Sequence, residues 1–195
     1  ATRARLNIAI MPDLSRRRVA GLLQQVQRVL PQLDLTLSDY TTPADCRLTL
    51  DALRREDEIF LPLWEEDYVL CVPVDHPLAS RERIELAELQ HYDFIECPPC
   101  EAHQQTIGLL ACDRLTLNLV AKAQSKGLVM ALVLAGVGIS FLPDGLVEDE
   151  PGLRTVAVNG PRMFRRIGLC YPAHQTLNPA LRDLIPELAS RGASW

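Results

Sequence analysis

Apolar positions along this chain recur in short runs that switch between the two-residue period of a strand and the 3.6-residue period of a helix. Residues 6–11 form one apolar run. After Pro12 and Asp13, the positions Val19, Leu22, Leu23, Val26, Val29 and Leu30 share one helical face until Pro31 ends it. Leu33, Leu35 and Leu37 then alternate with Asp34, Thr36 and Ser38, which predicts a strand with one drier face. A strand-helix-strand opening of this kind predicts a parallel pair. Thr42 and Pro43 suit the cap and first turn of a second helix, carrying Leu48, Leu50 and Leu53 to about Arg55.

The alternation continues with a strand over residues 68–73, a polar connector over 75–80, a short helix near 85–90 and a strand over 93–96. A helix over 101–111, a strand over 117–123 and a helix over 126–135 capped by Ser125 follow. That last helix runs into Gly136, a buried strand restarts at Ile139, and Pro143 stops it. Glycine just past a helix end accepts the left-handed backbone a tight turn demands. Gly136-Val137-Gly138 is not a nucleotide loop, because a phosphate cradle needs its glycines after a strand and before a helix. Strands are predicted over 153–158 and 165–171. Asn178 and Pro179 open a last helix with the stripe Leu181, Leu184, Ile185 and Leu188, which Pro186 is expected to kink or weaken.

Such a succession defines the α/β class. Two proline-bounded crossings, near residues 62–67 and 172–178, predict two lobes: residues 1–67 with 176–195, and residues 68–175. A cleft between lobes is the expected ligand site, since open α/β sheets bind ligands beyond the carboxyl ends of their strands.

At 195 residues and 48% hydrophobic, the chain can bury one sizeable core or two small ones. No apolar run approaches the roughly 20 residues needed to span a bilayer, and no charged-then-apolar leader precedes Leu6, so a cytoplasmic location without membrane contact is expected. The net charge of −5 argues against an extended phosphate-binding face. Six cysteines, several of them in apolar strand patterns, read as reduced, buried thiols rather than staples.

The order of landmarks resembles the effector-binding domain of LysR-type transcriptional regulators. The similarity is carried by residues 6–10, by Leu61-Pro62-Leu63-Trp64 running on to Pro73, and by His76-Pro77-Leu78-Ala79. Phe94-Ile95, the stretch from Ala135 to Pro143 and Leu177-Asn178-Pro179-Ala180 complete it, so that it spans nearly the whole chain. The resemblance implies a periplasmic-binding-protein-like fold of two Rossmann-like lobes joined by two crossover strands, with a small effector in the interlobe cleft. It also implies a winged helix-turn-helix and linker helix N-terminal to these residues, through which alone DNA would be bound. A homodimer or homotetramer is implied, its regulatory domains paired antiparallel, and the helix of residues 14–30 is the candidate interface. A strand of the first lobe's sheet is further implied between Arg55 and Leu61, where Glu56, Asp57 and Glu58 join the two directly. Strand-rich cores seldom lose a sheet member, so omitted residues are expected there rather than a trimmed lobe.

Effector contacts are expected in loops after strands: Pro12, Asp13, Leu14 and Ser15, then Thr41 and Thr42, then Gln124 and Ser125, with Cys100 at a further helix start. Helix N-termini present unpaired amides and a positive dipole end, which favours an anionic ligand. Thr42 and Ser125 would cap their helices in any case. Asp13 would repel an anion unless an arginine compensates. Arg16, Arg17 and Arg18 spread around a helix and suit a solvated face. Cys97-Pro98-Pro99-Cys100 with His103 and Cys112 is the sharpest local chemistry. Thiols and an imidazole at this spacing could hold a soft metal, or Cys97, Cys100 and Cys112 could form a redox switch with Cys100 activated at a helix start, or the group could simply pack.

No cofactor is expected. Catalysis has no support either: there is no Gly-x-Ser-x-Gly elbow, no His-Glu-x-x-His and no phosphate loop. His76, before a proline, is expected to be structural. The reading is an effector-sensing regulatory domain and not an enzyme. A thiol-based sensor and a free-standing solute-binding protein are the alternatives.

Overall fold

The computed structural model, which describes residues 3–98 and 100–191, places the chain in two units: Ala1–Glu66 with Arg165–Trp195, and Asp67–Phe164. In chain order the elements are β1 (Ala4–Ile10), α1 (Arg16–Val29), β2 (Leu33–Asp39), β3 (Cys46–Leu50) and β4 (Glu58–Pro73). There follow β5 (Arg83–Glu85), β6 (Asp93–Glu96), α2 (Glu101–Cys112), β7 (Asn118–Lys122), α3 (Lys126–Leu134) and β8 (Ser140–Pro143). The chain closes with α4 (Asp144–Val147), β9 (Leu153–Asn159), β10 (Phe164–Pro172) and α5 (Pro179–Ser190). Short 3-10 helices cover Asp51–Leu53, Pro77–Ser80 and Leu86–His91.

In the first unit the strands lie in the order β2-β1-β3-β10-β4. β1 runs parallel to both β2 and β3, and β3 runs antiparallel to β10. Leu6, Ile8, Leu48, Ile167 and Leu169 from the sheet share one core with Leu22 and Val26 of α1 and Leu181, Leu184 and Leu188 of α5. Each fully buried leucine or isoleucine contributes about 1.5–3 kcal/mol relative to an exposed one. The helix α5 continues through Pro186 to Ser190.

The helix expected over residues 42–55 is not formed, and Thr42 therefore caps nothing. Cys46, Leu48 and Leu50 are spaced by two, and pairing with β1 on one side and β10 on the other buries Cys46 and Leu48. A strand takes that pattern better than a helix, whose face it would split. The connection from β2 is only residues 40–45, shorter than the dozen or more usual for a parallel crossover. It suffices because β3 begins level with Ile8, near the far end of β1. The same strand corrects the second expectation: β3 is the sheet member expected between Arg55 and Leu61. At that point the Glu58 amide simply donates to the Arg55 carbonyl at 3.1 Å and the chain enters β4.

The passage into the second unit occurs inside β4, between Glu66 and Asp67, and the return inside β10, between Phe164 and Arg165. The proline-bounded segment of residues 172–178, expected to be the return, is instead the approach to α5.

In the second unit β6 and β7 pair in parallel, Ile139 bridges to Phe94, β8 and β9 flank β4 in antiparallel fashion, and β9 pairs in parallel with β5. Phe94, Phe141, Leu70, Val72, Val129, Val133, Ile139 and Val156 form its core. The glycine hinge behaves as its sequence predicts. Gly136 has φ +77°, its amide donates to the Val133 carbonyl at 2.9 Å, and that of Val137 donates to Leu132 at 3.0 Å, the paired bonds of a Schellman motif. A Cβ on Gly138 would lie 2.7 Å from the Asp93 carbonyl oxygen, so the chain re-enters the sheet where only glycine fits.

Candidate functional site

Parallel strands put their following helices at one end of the sheet, and the expected site residues gather at those ends within each unit. In the first unit, Pro12, Asp13 and Ser15 form the turn from β1 into α1. Asp13 adopts φ +63°, a left-handed conformation uncommon for a residue with a side chain. Ser15 is buried and its hydroxyl oxygen accepts from the Arg18 amide at 3.3 Å, so it is the N-cap of α1. Arg16 and Arg17 are exposed and Arg18 is half-buried.

What holds this turn is a side chain the sequence did not single out. Arg165, whose side chain is only 3% exposed, donates from Nη2 to the Asp13 carbonyl at 2.8 Å and from Nε to Glu66 Oε2 at 2.7 Å. The other Glu66 oxygen accepts from Trp64 Nε1 at 3.0 Å, and Trp64 and Glu66 are themselves buried. A buried ion pair survives only with such further hydrogen bonds on its remaining atoms.

Thr41 and Thr42 follow β2. The Thr41 amide and hydroxyl both donate to Asp39 Oδ1 at 2.9 Å, and these bonds hold the Asp39 carboxyl below the usual carboxylate range. With Arg47, Arg55, Glu58 and Cys170, the two threonines line a cavity of about 240 Å³ within the first unit. The Thr41 hydroxyl is thus already engaged by an acidic neighbour, which makes this loop less suited to an anion than the turn into α1.

In the second unit, Ala123 donates its amide to the Glu96 carbonyl at 2.9 Å, so the chain leaves β6 and β7 at the same end and starts α2 and α3 there. Ser125 caps α3, accepting from the Leu128 amide at 3.1 Å, and Gln124 beside it is exposed. Cys100 occupies the N-cap position of α2, but its side chain caps nothing and is buried.

His103, one turn into α2, is fully buried and both ring nitrogens serve the backbone. Nδ1 accepts from the Cys97 amide at 2.9 Å and Nε2 donates to the Phe141 carbonyl at 3.1 Å. Ser140 Oγ lies 3.2 Å from Nε2 and donates to the Ile95 carbonyl at 2.8 Å. The ring is neutral, and burial pulls its pKa down to about 4. This arrangement leaves no lone pair for a metal, and no cluster of three potential ligands occurs among the described residues. Cys112 is exposed at the opposite end of α2, whose 12 residues span roughly 18 Å, so Cys100 and Cys112 are out of disulfide reach while α2 is folded. Pro99, and with it any orienting effect of the proline pair on Cys97 and Cys100, lies outside the described residues. His76 is structural, its Nδ1 accepting from the Leu78 amide at 3.1 Å.

Sequence reasoning thus found the turns but not Trp64, Glu66 and Arg165. The ion pair joins positions 99 residues apart, and no local spacing marks it.

Two α/β units, with capped helices starting where parallel strands end and two strands passing from one unit to the other, define a two-lobed fold of the periplasmic-binding-protein class. Residues 1–193 match the LysR substrate binding domain, and the chain belongs to that family. It is 32% identical over 132 residues to the uncharacterised HTH-type transcriptional regulator YybE of Bacillus subtilis, covering 67% of this chain and 45% of that protein. It is 25% identical over 203 residues to the dual regulator OxyR of Escherichia coli, covering 95% and 66% respectively. Among solved structures, the effector binding domain of QuiR in complex with shikimate superposes with a TM-score of 0.80 at 18% identity, over 98% of both chains. The chain spans about half the length of the first curated relatives it matches. Among the described residues no helix is long and apolar enough to cross a membrane.

Proposed function

We propose that this chain is the effector-sensing part of a LysR-type transcriptional regulator and that its effector is a small anionic molecule. The first unit offers the turn Pro12, Asp13 and Ser15, and the second offers Gln124, Ser125 and Cys100. The observation that supports this reading best is the pair of serine-capped helices, α1 and α3, each opening where a parallel strand ends. Their first turns present positive dipole ends suited to a carboxylate or phosphate. Shikimate, the ligand of the QuiR domain, is a carboxylate. DNA binding belongs to the remainder of the regulator. A ligand changes such a regulator only by binding its two states unequally.

The apolar residues Leu35 and Leu37 on β2, with half-buried Leu23 on α1 and Leu30 at its C-cap, supply a self-association face, and Leu119, Val120 and Leu128 are exposed in the second unit. A thermal-shift screen of small carboxylates on this chain, followed by reporter assays of the full-length regulator, tests the sensing role. At least one acid is expected to stabilise the domain and alter transcription, and Ser125→Ala with Ser15→Ala is expected to weaken both effects. A screen without hits, with regulation intact in the double variant, overturns the assignment.

A second reading, a peroxide-responsive thiol, has one observation in its favour: Cys100 stands at the N-cap position of α2, the helix start expected of such a thiol. Mass spectrometry after mild peroxide, compared with Cys100→Ser, decides it. No oxidation at positions 97, 100 or 112 retires the thiol sensor.

A further inference from the structure

Arginine at position 165 carries one more donor nitrogen than its surroundings use. Nε is taken by Glu66 and Nη2 by the Asp13 carbonyl, while Nη1 is buried and meets no acceptor among the described residues. A buried polar hydrogen without a partner is costly, and more so when the group is charged. Side chains usually escape that cost by rotating toward water, but this guanidinium is clipped at its two other nitrogens, and Glu66 is fixed in turn by Trp64. A lysine could satisfy Glu66 as well. Only the planar fork of arginine adds a donor whose direction is set by the bonds on its neighbours.

Position and charge say what this donor is for. Nη1 shares its carbon with the nitrogen that grips Asp13, two residues before the N-cap of the 14-residue helix α1. The guanidinium therefore adjoins the turn that opens α1, the turn already assigned to the effector, where a helix dipole has its positive end. The positive charge of the guanidinium is matched by Glu66, so the site asks for an acceptor oxygen and draws its preference for an anion from the helix end. Asp13 meets Arg165 through its backbone carbonyl.

We propose that Arg165 reads an acidic ligand: Nη1, oriented by Glu66 and the Asp13 carbonyl, donates to one oxygen of a carboxylate at the foot of α1. This inference rests on the reading of the β1 to α1 turn as a ligand loop and adds the residue and the ligand group it recognises.

The probe is sodium formate, small enough to reach a site whose larger ligand is unidentified. It is titrated into the isotopically labelled chain while the guanidinium resonances of Arg165 are followed, with sodium chloride matching the ionic strength and formamide as the neutral isostere. Saturable movement of the Nη1 resonance with formate, little with formamide and none with chloride is the expected result. Arg165→Lys keeps the ion pair with Glu66 and the fold, and is expected to weaken formate binding about tenfold, measured by calorimetry. An unmoved Nη1 resonance at saturating formate overturns the inference, as does equal formate binding by Arg165→Lys. A formamide response equal to that of formate overturns the carboxylate assignment. If Nη1 stays silent while a larger acid still regulates the full-length protein, this inference fails and the sensing function stands. If formate binds at Arg165 but no acid alters transcription, the sensing function fails and the subsite stands.

Discussion

The two units solve one problem, fixing a β-to-α turn beside a buried core, with opposite chemistry. In the first unit a charged pair does it, Glu66 with Arg165, tied to Trp64 and to the Asp13 carbonyl. In the second a neutral imidazole does it, with His103 joining the amide before α2 to the carbonyl of β8. A charged clamp holds its geometry only while both charges remain, because either one alone would be stranded in the core. The imidazole clamp holds only while it stays uncharged. The first thus fails on losing a charge, and the second on gaining one.

The largest expected effect breaks the charged clamp. Replacing Glu66 with leucine leaves Arg165 buried and unpaired and is expected to cost about 3–5 kcal/mol. Urea titration followed by the fluorescence of buried Trp64 measures it. Glu66→Leu combined with Arg165→Met is expected to recover most of that loss, since an apolar pair of similar volume is often neutral. A double variant no better than the single one would show that the stabilising element is the bond to Asp13 and not the pairing of charge.

Somewhat smaller is the loss of the neutral clamp. His103→Leu leaves the Cys97 amide and the Phe141 carbonyl without their partner, at about 2–4 kcal/mol. The intact protein should show the matching pH effect. His103 is held at about 4 when folded, against 6.5 when free, so folding favours the neutral ring. The stability it contributes is complete above pH 6.5 and is lost as pH falls from there through 4, about 3 kcal/mol in all. Amide exchange should therefore quicken first at Val129 and Leu142 in the second unit, with Leu48 and Leu169 in the first unit lagging. His103→Leu should remove this contribution to the slope. Simultaneous loss of protection in both units would erase the contrast.

How far this division could be read from the sequence depends on the distance over which each feature is encoded. The turn at Gly136, the cap at Ser125 and the cap at Asn178 depend on neighbours within four residues, and all three are legible. Residues 42–55 mislead because Leu48, Leu50 and Leu53 can be fitted loosely to a helix. What decides against it is the edge offered by β1 and β10, which no local window contains. The Glu66–Arg165 clamp is less visible still. Glu65-Glu66 and Arg165-Arg166 look like solvated charge doublets, and in each doublet one member is buried while the other faces outward. Arg166 indeed pairs with Glu65 at 2.8 Å near the surface. His103 stands out in the sequence for its proximity to cysteines, yet its partners are backbone groups, one of them 38 residues away.

Glycines sharpen the contrast at the next level down. Alanine at Gly168 in β10 would drive its Cβ into the Leu61 carbonyl oxygen, which the first unit's sheet cannot yield cheaply, and about 2–3 kcal/mol is expected. Gly136 in the second unit has open space around it and suffers only from its φ of +77°, so Gly136→Ala should cost about 1–2 kcal/mol. Thermal midpoints of the two variants would rank them, and the reverse order would mean that β10 can move away from β4.

The smallest expected effects come from the two caps, and they bear most directly on function. Ser15→Ala and Ser125→Ala each remove one acceptor from the first turn of a helix, worth about 1 kcal/mol. Ser15 is buried and cannot be replaced by water, whereas Ser125 is half-exposed and can be in part, so the first unit should lose more. If each serine only caps, that stability difference is the whole consequence, and the response to an acidic ligand should be unchanged once both variants are held below their melting temperatures. If the turn into α1 receives the ligand, Ser15→Ala should also weaken binding in isothermal calorimetry beyond what Ser125→Ala does, because in the first unit the cap, the Asp13 carbonyl and Arg165 form one connected assembly.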